Sequence, residues 1–230
     1  MPIRSVVLLS LSFCGFVVLT NLSLKTNSVA FYQMAKVLTT PFVGLIQHFV
    51  YGIGMRWSVR ITLGVACIGV LLATFEEVQV SLIGTTLALA SVCVTAIYQV
   101  LVGAKQKELE ANSLQLLSYQ APISAVLLFL SCPFLESGKE IIRFPYSPGL
   151  VAVILLSSML AAMVNVSTFL IIGHTSAITY NVVGHCKLSL VLLFGFLFFD
   201  DARMGWVNIF GVLVALCGII AYSFIVIYRK

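Results

Sequence analysis

The stretch SAITYNVVGHCKLSLVLLFGFLFF, residues 176–199, decides how this chain is read. It is long and apolar enough for a helix that needs about 20 residues to cross the hydrocarbon core of a bilayer. Yet it carries a lysine, Lys187, eleven positions after Ser176. At ~1.5 Å per residue that is more than about 10 Å from the nearer helix end, a poor position for snorkelling into the headgroups. A charge at mid-membrane costs about 3 kcal/mol on insertion scales, and such residues usually point inward and mark a substrate or ion path. Tyr180, Asn181, Gly184 and His185 precede the lysine. Gly184 should share its face one turn away, and Tyr180 extends that face by a further turn. His185 has two readings of equal standing, a ligand contact or a buried ring bonded to a neighbouring carbonyl.

A second lysine repeats the pattern. Lys36 closes the segment FYQMAK, residues 31–36, with Tyr32 and Gln33 one turn before it. Lys36 is eight positions past Ser28, so snorkelling remains an alternative for it. A cationic site with tyrosine and amide neighbours suits an anionic ligand that carries a ring or hydroxyls. Other polar groups fall at comparable depth: Tyr98 with Gln99, Tyr119 with Gln120, and Asn165 with Ser167 and Thr168. In a helical bundle such groups act as interhelical hydrogen bonds worth about 0.6–2 kcal/mol each. Of these, Tyr119 and Gln120 are also candidate binding residues. Pro41 and Pro122 are expected to kink their helices, which membrane bundles tolerate because neighbouring groups satisfy the freed carbonyls.

Working outward, the rest of the chain is equally apolar. Sixty per cent of the 230 residues are hydrophobic and 9% are charged, and the mean hydropathy is +1.10. A soluble domain needs a far more charged surface. Eight segments read as spans, at roughly 5–24, 28–52, 61–75, 80–103, 114–135, 149–172, 176–199 and 205–228. The third is short unless it starts near Trp57. No loop is long enough for a soluble domain. The net charge of +5 is spread through short loops without a basic run, which sets nucleic acid aside. The six cysteines lie in apolar stretches without ligand spacing, so neither metal nor cofactor is expected. There is no HExxH, no GxSxG and no intramembrane Asp or Glu to serve as a base, so no catalytic residue is assigned and an enzyme is not expected.

Alternate loops differ in charge. One side carries Arg4, Arg56, Arg60, Lys105, Lys107, Arg229 and Lys230; the other carries Lys25, Lys139, Arg143 and Arg203. The richer side should be cytosolic, which puts both termini in the cytosol and agrees with an even number of spans. The sequons at Asn21 and Asn165 lie at a helix end and inside a span, and both should be unmodified.

Superposing Lys36 on Lys187 exposes a repeat. Gly44 and Gly195 both follow by eight positions, and a short loop with Trp57 or Trp206 comes next in each case. GVACIGVLLA (64–73) then matches GVLVALCGIIA (211–221). The second and third spans therefore resemble the seventh and eighth, an odd number of crossings apart, so the repeats must be inverted in the membrane. Inverted repeats belong to carriers that alternate access around a site at the repeat interface. The expected fold is an all-α integral membrane protein, the remnant of a ten-helix (5+5) inverted-repeat transporter. Residues 1–230 form one domain, with 1–78 an incomplete first repeat, two helices short, and 79–230 a complete second one.

These residues resemble the nucleotide-sugar transporter and triose-phosphate translocator family, within the drug/metabolite transporter superfamily. The resemblance covers essentially the whole chain and is carried by FYQMAK (31–36), LLSYQAPISA (116–125) and TSAITYNVVGHCK (175–187). It implies that Lys187 engages substrate phosphate, that Lys36 contributes charge, and that Tyr119 and Gln120 lie near a motif that reads the nucleobase. Lys187-Leu188 stands where many phosphate-sugar members have Lys-Arg or Lys-Thr, and Tyr119-Gln120-Ala121 lacks the paired asparagines of a GDP-mannose carrier. The overall pattern is closer to the branch that includes UDP-galactose and UDP-rhamnose carriers.

The resemblance thus implies an antiporter in the Golgi or endoplasmic reticulum membrane. It would exchange a nucleotide sugar, foremost a UDP-sugar, or a sugar phosphate for a nucleoside monophosphate or phosphate. Its partners would be that anionic substrate, the counter-substrate and membrane lipid, with homodimerisation left open. The alternative is a transport-inactive short form with an interaction or regulatory role.

Overall fold

Pro41 sets the main break in the chain. Its ring has no N–H to donate to the Val37 carbonyl and clashes with that carbonyl, so an α-helix cannot run through unaltered. The computed structural model of the protein has the break there. Helix α1 spans Ile3–Thr26, and the second predicted span is divided into α2 (Val29–Val37) and α3 (Thr39–Tyr51). Leu38 N–H tightens onto Ala35 O at 3.0 Å, and Phe42 N–H restarts the ladder on Leu38 O at 3.2 Å. Then follow α4 (Trp57–Ala73), α5 (Leu82–Glu108), α6 (Ser113–Leu135), α7 (Pro148–His174), α8 (Ala177–Phe198) and α9 (Trp206–Tyr228). The structure describes residues 3–27, 29–73, 82–135, 144–198 and 206–228.

With α2 and α3 counted as one broken helix, the described residues hold eight helices, at the places where the hydropathy pattern predicts spans. Five of them, α1, α5, α6, α7 and the stretch Trp206–Ile225 of α9, are long and apolar enough to cross a membrane. Helix α4 does begin at Trp57, and its 17 residues reach the lower end of the usual range. Helix α6 carries Pro122 and Pro133 within one continuous helix, unlike the span divided ahead of Pro41.

Local chemistry fixes the turns. Ser147 caps α7 by accepting the Leu150 N–H at 3.2 Å, with Pro148 in the first turn. Ser176 caps α8 by accepting the Thr179 N–H at 3.1 Å. Helix α3 ends at Gly52, whose φ of 65° is left-handed and lets its N–H and that of Ile53 reach the His48 and Gln47 carbonyls.

Helices α4 and α9 are the tightest pair. A Cβ on Gly69 would come within 2.2 Å of the Ala215 nitrogen, one on Gly211 within 2.3 Å of the Ala73 nitrogen, and one on Gly218 within 2.5 Å of the Ala66 nitrogen. The register 66–218, 69–215, 73–211 runs in opposite directions, so the two helices that match in sequence pack antiparallel. Small residues allow this close approach, which drives association where lipid is as apolar as leucine. Helix α1 packs on α5 and α6, and α5 also meets α3 and α7. The Tyr98 ring sits among Phe13 and Phe16 at centroid distances of 5.4 and 5.8 Å. The opposite extreme is α7, where Val153, Leu155, Met159, Leu160 and Met163 are all exposed, an apolar surface suited to lipid.

Candidate functional site

The break after Val37 and the passage of α8 beside it open a cavity of about 250 Å³. Lys36, in the last turn of α2, and Lys187, ten residues into α8, both line it. Ten residues correspond to ~15 Å along a helix, so Lys187 lies near the middle of a core about 30 Å thick. Both lysines are exposed, and both line this cavity. The last turn of α2 also favours a cation at Lys36, because helix carbonyl ends carry partial negative charge. The Lys36 ammonium stands 5.5 Å from the centroid of the Tyr32 ring, a cation–π contact.

Seven of the residues singled out from the sequence meet in this cavity: Gln33, Lys36, Tyr180, Asn181, Gly184, His185 and Lys187. Tyr32 lies just beside it, in a small adjoining pocket that it shares with Lys36 and Thr39. Tyr119 and Gln120 are not brought there. Tyr119 is exposed on α6, while Gln120 is 1% exposed and donates through Nε2 to the Tyr98 hydroxyl at 3.4 Å. Ser167 and Thr168 of α7 join the lining, although the sequence marked them only as interhelical polar groups. The signal that could have found them is their spacing: they lie side by side at the depth of Lys187. Asn165, two residues earlier, instead turns its amide back to the Ala161 carbonyl at 3.1 Å.

The polar groups are held by bonds between helices. His185 Nε2 lies 2.8 Å from Thr40 Oγ1 at the start of α3. Asn181 Nδ2 donates to Gln99 Oε1 of α5 at 2.8 Å. The Tyr180 hydroxyl lies 3.3 Å from Thr168 Oγ1. The lysines differ: neither makes a hydrogen bond or an ion pair among the described residues, where the one ion pair is Lys105 with Glu108 at 2.6 Å. Two cations in one cavity, flanked by hydroxyls and amides, offer the chemistry that an anion with more than one charged oxygen needs.

A family model described as the Triose-phosphate Transporter family matches residues 2–223. The chain is 38% identical over 209 residues to UDP-xylose transporter 2 of Arabidopsis thaliana, covering 90% of this chain and 59% of that protein. UDP-xylose transporter 1 of the same plant is 38% identical over 224 residues, 96% of this chain and 65% of the relative. UDP-rhamnose/UDP-galactose transporter 1 is 36% identical over 213 residues, 91% and 61% respectively. The chain therefore spans about three fifths of the length of these curated relatives.

Proposed function

The chain belongs to the triose-phosphate transporter family, and from that premise we propose that it is a carrier exchanging a nucleotide sugar for a nucleoside monophosphate across the Golgi or endoplasmic reticulum membrane. The observation that carries this reading is one cavity that holds both intramembrane lysines, with no carboxylate among its lining residues. Lys187 and Lys36 bind the phosphates, with the Asn181 amide beside them as a further donor; Ser167, Thr168 and Tyr180 meet the hydroxyls and ring of the sugar. UDP-sugars lead because the relatives at 36–38% identity are named for UDP-xylose, UDP-rhamnose and UDP-galactose. The base-contacting role of Tyr119 and Gln120 rests on the resemblance alone, since both lie outside this cavity.

Exchange follows from the charge. An empty carrier that reorients must carry two uncompensated cations through a low-dielectric layer, at a cost of about 3 kcal/mol each on insertion scales. Phosphate oxygens neutralise them, and this differential interaction is what a ligand needs to shift a conformational equilibrium. The antiparallel packing of α4 on α9 supports rocking of two repeats, divided near residue 78, about the site. Both termini belong in the cytosol by the charge count.

The test is reconstitution in liposomes preloaded with UMP, GMP, CMP or inorganic phosphate, with uptake of labelled UDP-xylose, UDP-galactose and UDP-rhamnose measured from outside. Uptake that requires internal UMP and disappears in Lys187→Ala supports the assignment. Uptake at the wild-type rate in that variant, or from unloaded vesicles, overturns it.

A further inference from the structure

A second cavity of about 240 Å³ has Gln99, the partner of Asn181, in its lining. Gln47 and Tyr51 of α3, Gln99 and Lys107 of α5, and Thr175 and Ser176 before α8 line it. Each of these elements places the second cavity toward the end of the bundle that carries Arg56, Lys105 and Lys107. On α8 the lining moves from Lys187 back to Ser176, and on α7 and the turn after it from Ser167 on to Thr175. The two cavities share one polar partition. Asn181 lines the first, Gln99 lines the second, and they are joined by the 2.8 Å bond from Asn181 Nδ2 to Gln99 Oε1. Around that bond the wall is apolar: Val43, Ala96, Val100, Ala177, Ile178 and Val182 are all buried in one cluster.

We infer that the second cavity is the opposite mouth of the same path and that the Gln99–Asn181 bond is the latch closing it. The inference rests on the carrier reading given above. An ordinary interhelical bond in a membrane is costly to break because its groups would face lipid. Here each amide borders a cavity, so water replaces the lost partner and the bond opens cheaply. Asn181 is also within the ligand cavity, where an anionic phosphate oxygen is a stronger acceptor than the Gln99 carbonyl. A ligand seated on the lysines thereby competes for the donor that holds the latch shut. His185 and Thr40, at 2.8 Å, form a second interhelical bond beside the first cavity and are left intact by the test.

The experiment reads access rather than transport. In a chain with its six cysteines replaced, Ser167→Cys puts one thiol in the first cavity. A membrane-impermeant methanethiosulfonate is supplied only to the face carrying Lys107, in proteoliposomes of sorted orientation. Interhelical hydrogen bonds in membranes have strengths that convert to about a 3- to 20-fold change in an open-to-closed ratio. Gln99→Met, which keeps volume, and Asn181→Ala should each raise the labelling rate by that factor, and the double variant should add nothing more. Labelling unchanged in both single variants, or effects that multiply in the double variant, would make the bond a strut and overturn the latch. If labelling responds as expected while the unsubstituted chain shows no nucleotide exchange, the carrier reading fails and the bond stands only as a gate between the two cavities.

Discussion

Replacing Lys187 by alanine separates affinity from stability in opposite directions. The side chain is exposed to the cavity and makes no hydrogen bond or ion pair among the described residues, so none of their polar contacts depends on it. Removing a mid-membrane charge relieves a cost of about 3 kcal/mol on insertion scales, so the variant should be at least as heat-stable as the parent. Its loss to binding is that of a hydrogen bond to a charged group, about 1.5–3 kcal/mol, or roughly a 10- to 150-fold rise in Kd. Lys187→Arg keeps the charge but presents a planar fork in place of a compact ammonium, and should fall between the two. Isothermal titration of detergent-solubilised protein with UDP gives the affinities, and thermal unfolding of the same samples gives the stabilities. An unchanged Kd refutes the phosphate assignment. A fall in affinity matched by a fall in melting temperature refutes the reasoning that Lys187 is structurally idle.

Three further outcomes test the scaffold and the remaining candidates. Gly69→Leu drives a side chain into the Ala215 backbone at the α4–α9 contact and should destabilise by about 1–3 kcal/mol or more, whereas Gly64→Ala, with nothing within 4 Å of its Cβ, should be neutral in the same thermal assay. Asn27 Nδ2 donates to the Gly84 carbonyl at 2.9 Å and to the Ser23 carbonyl at 3.0 Å, tying the end of α1 to the start of α5. Asn27→Ala should therefore cost about 1–2 kcal/mol in unfolding while leaving the Kd for UDP unaltered, as titration of the purified variant would register. Tyr119→Ala should change the preference among UMP, CMP and GMP in competition for exchange without changing inhibition by inorganic phosphate. Equal effects on all four competitors would assign Tyr119 to packing.

The number and order of the membrane passes were legible in the sequence because hydropathy is a local property. A run such as 176–199 has to find a bilayer or a core whatever surrounds it, and the helices fall within a few residues of the segments read from composition. Position along the helix was legible too: counting from Ser176 puts Lys187 well inside the apolar run, where the cost of a charge points to a function. The break in the second span was readable from Pro41, since the clash with Val37 is built into the ring. Pro122, by contrast, lies inside one continuous helix, so a proline alone did not say where a helix divides.

What the sequence could not supply is the rotation of each helix about its axis. In a soluble bundle the polar stripe marks the outside, but lipid is as apolar as a packed core, so leucines on the two faces look alike. Only tertiary packing turns Gln120 onto Tyr98 and leaves Tyr119 exposed, away from the cavity where Lys36 and Lys187 meet. It likewise brings Ser167 and Thr168 from α7 to the lysines, and sets Gln99 against Asn181 across 82 residues of chain. The sequence determined which residues lie in the membrane and how deep; close approach through Gly69, Gly211 and Gly218 and the bonds between helices decided which of them face one another.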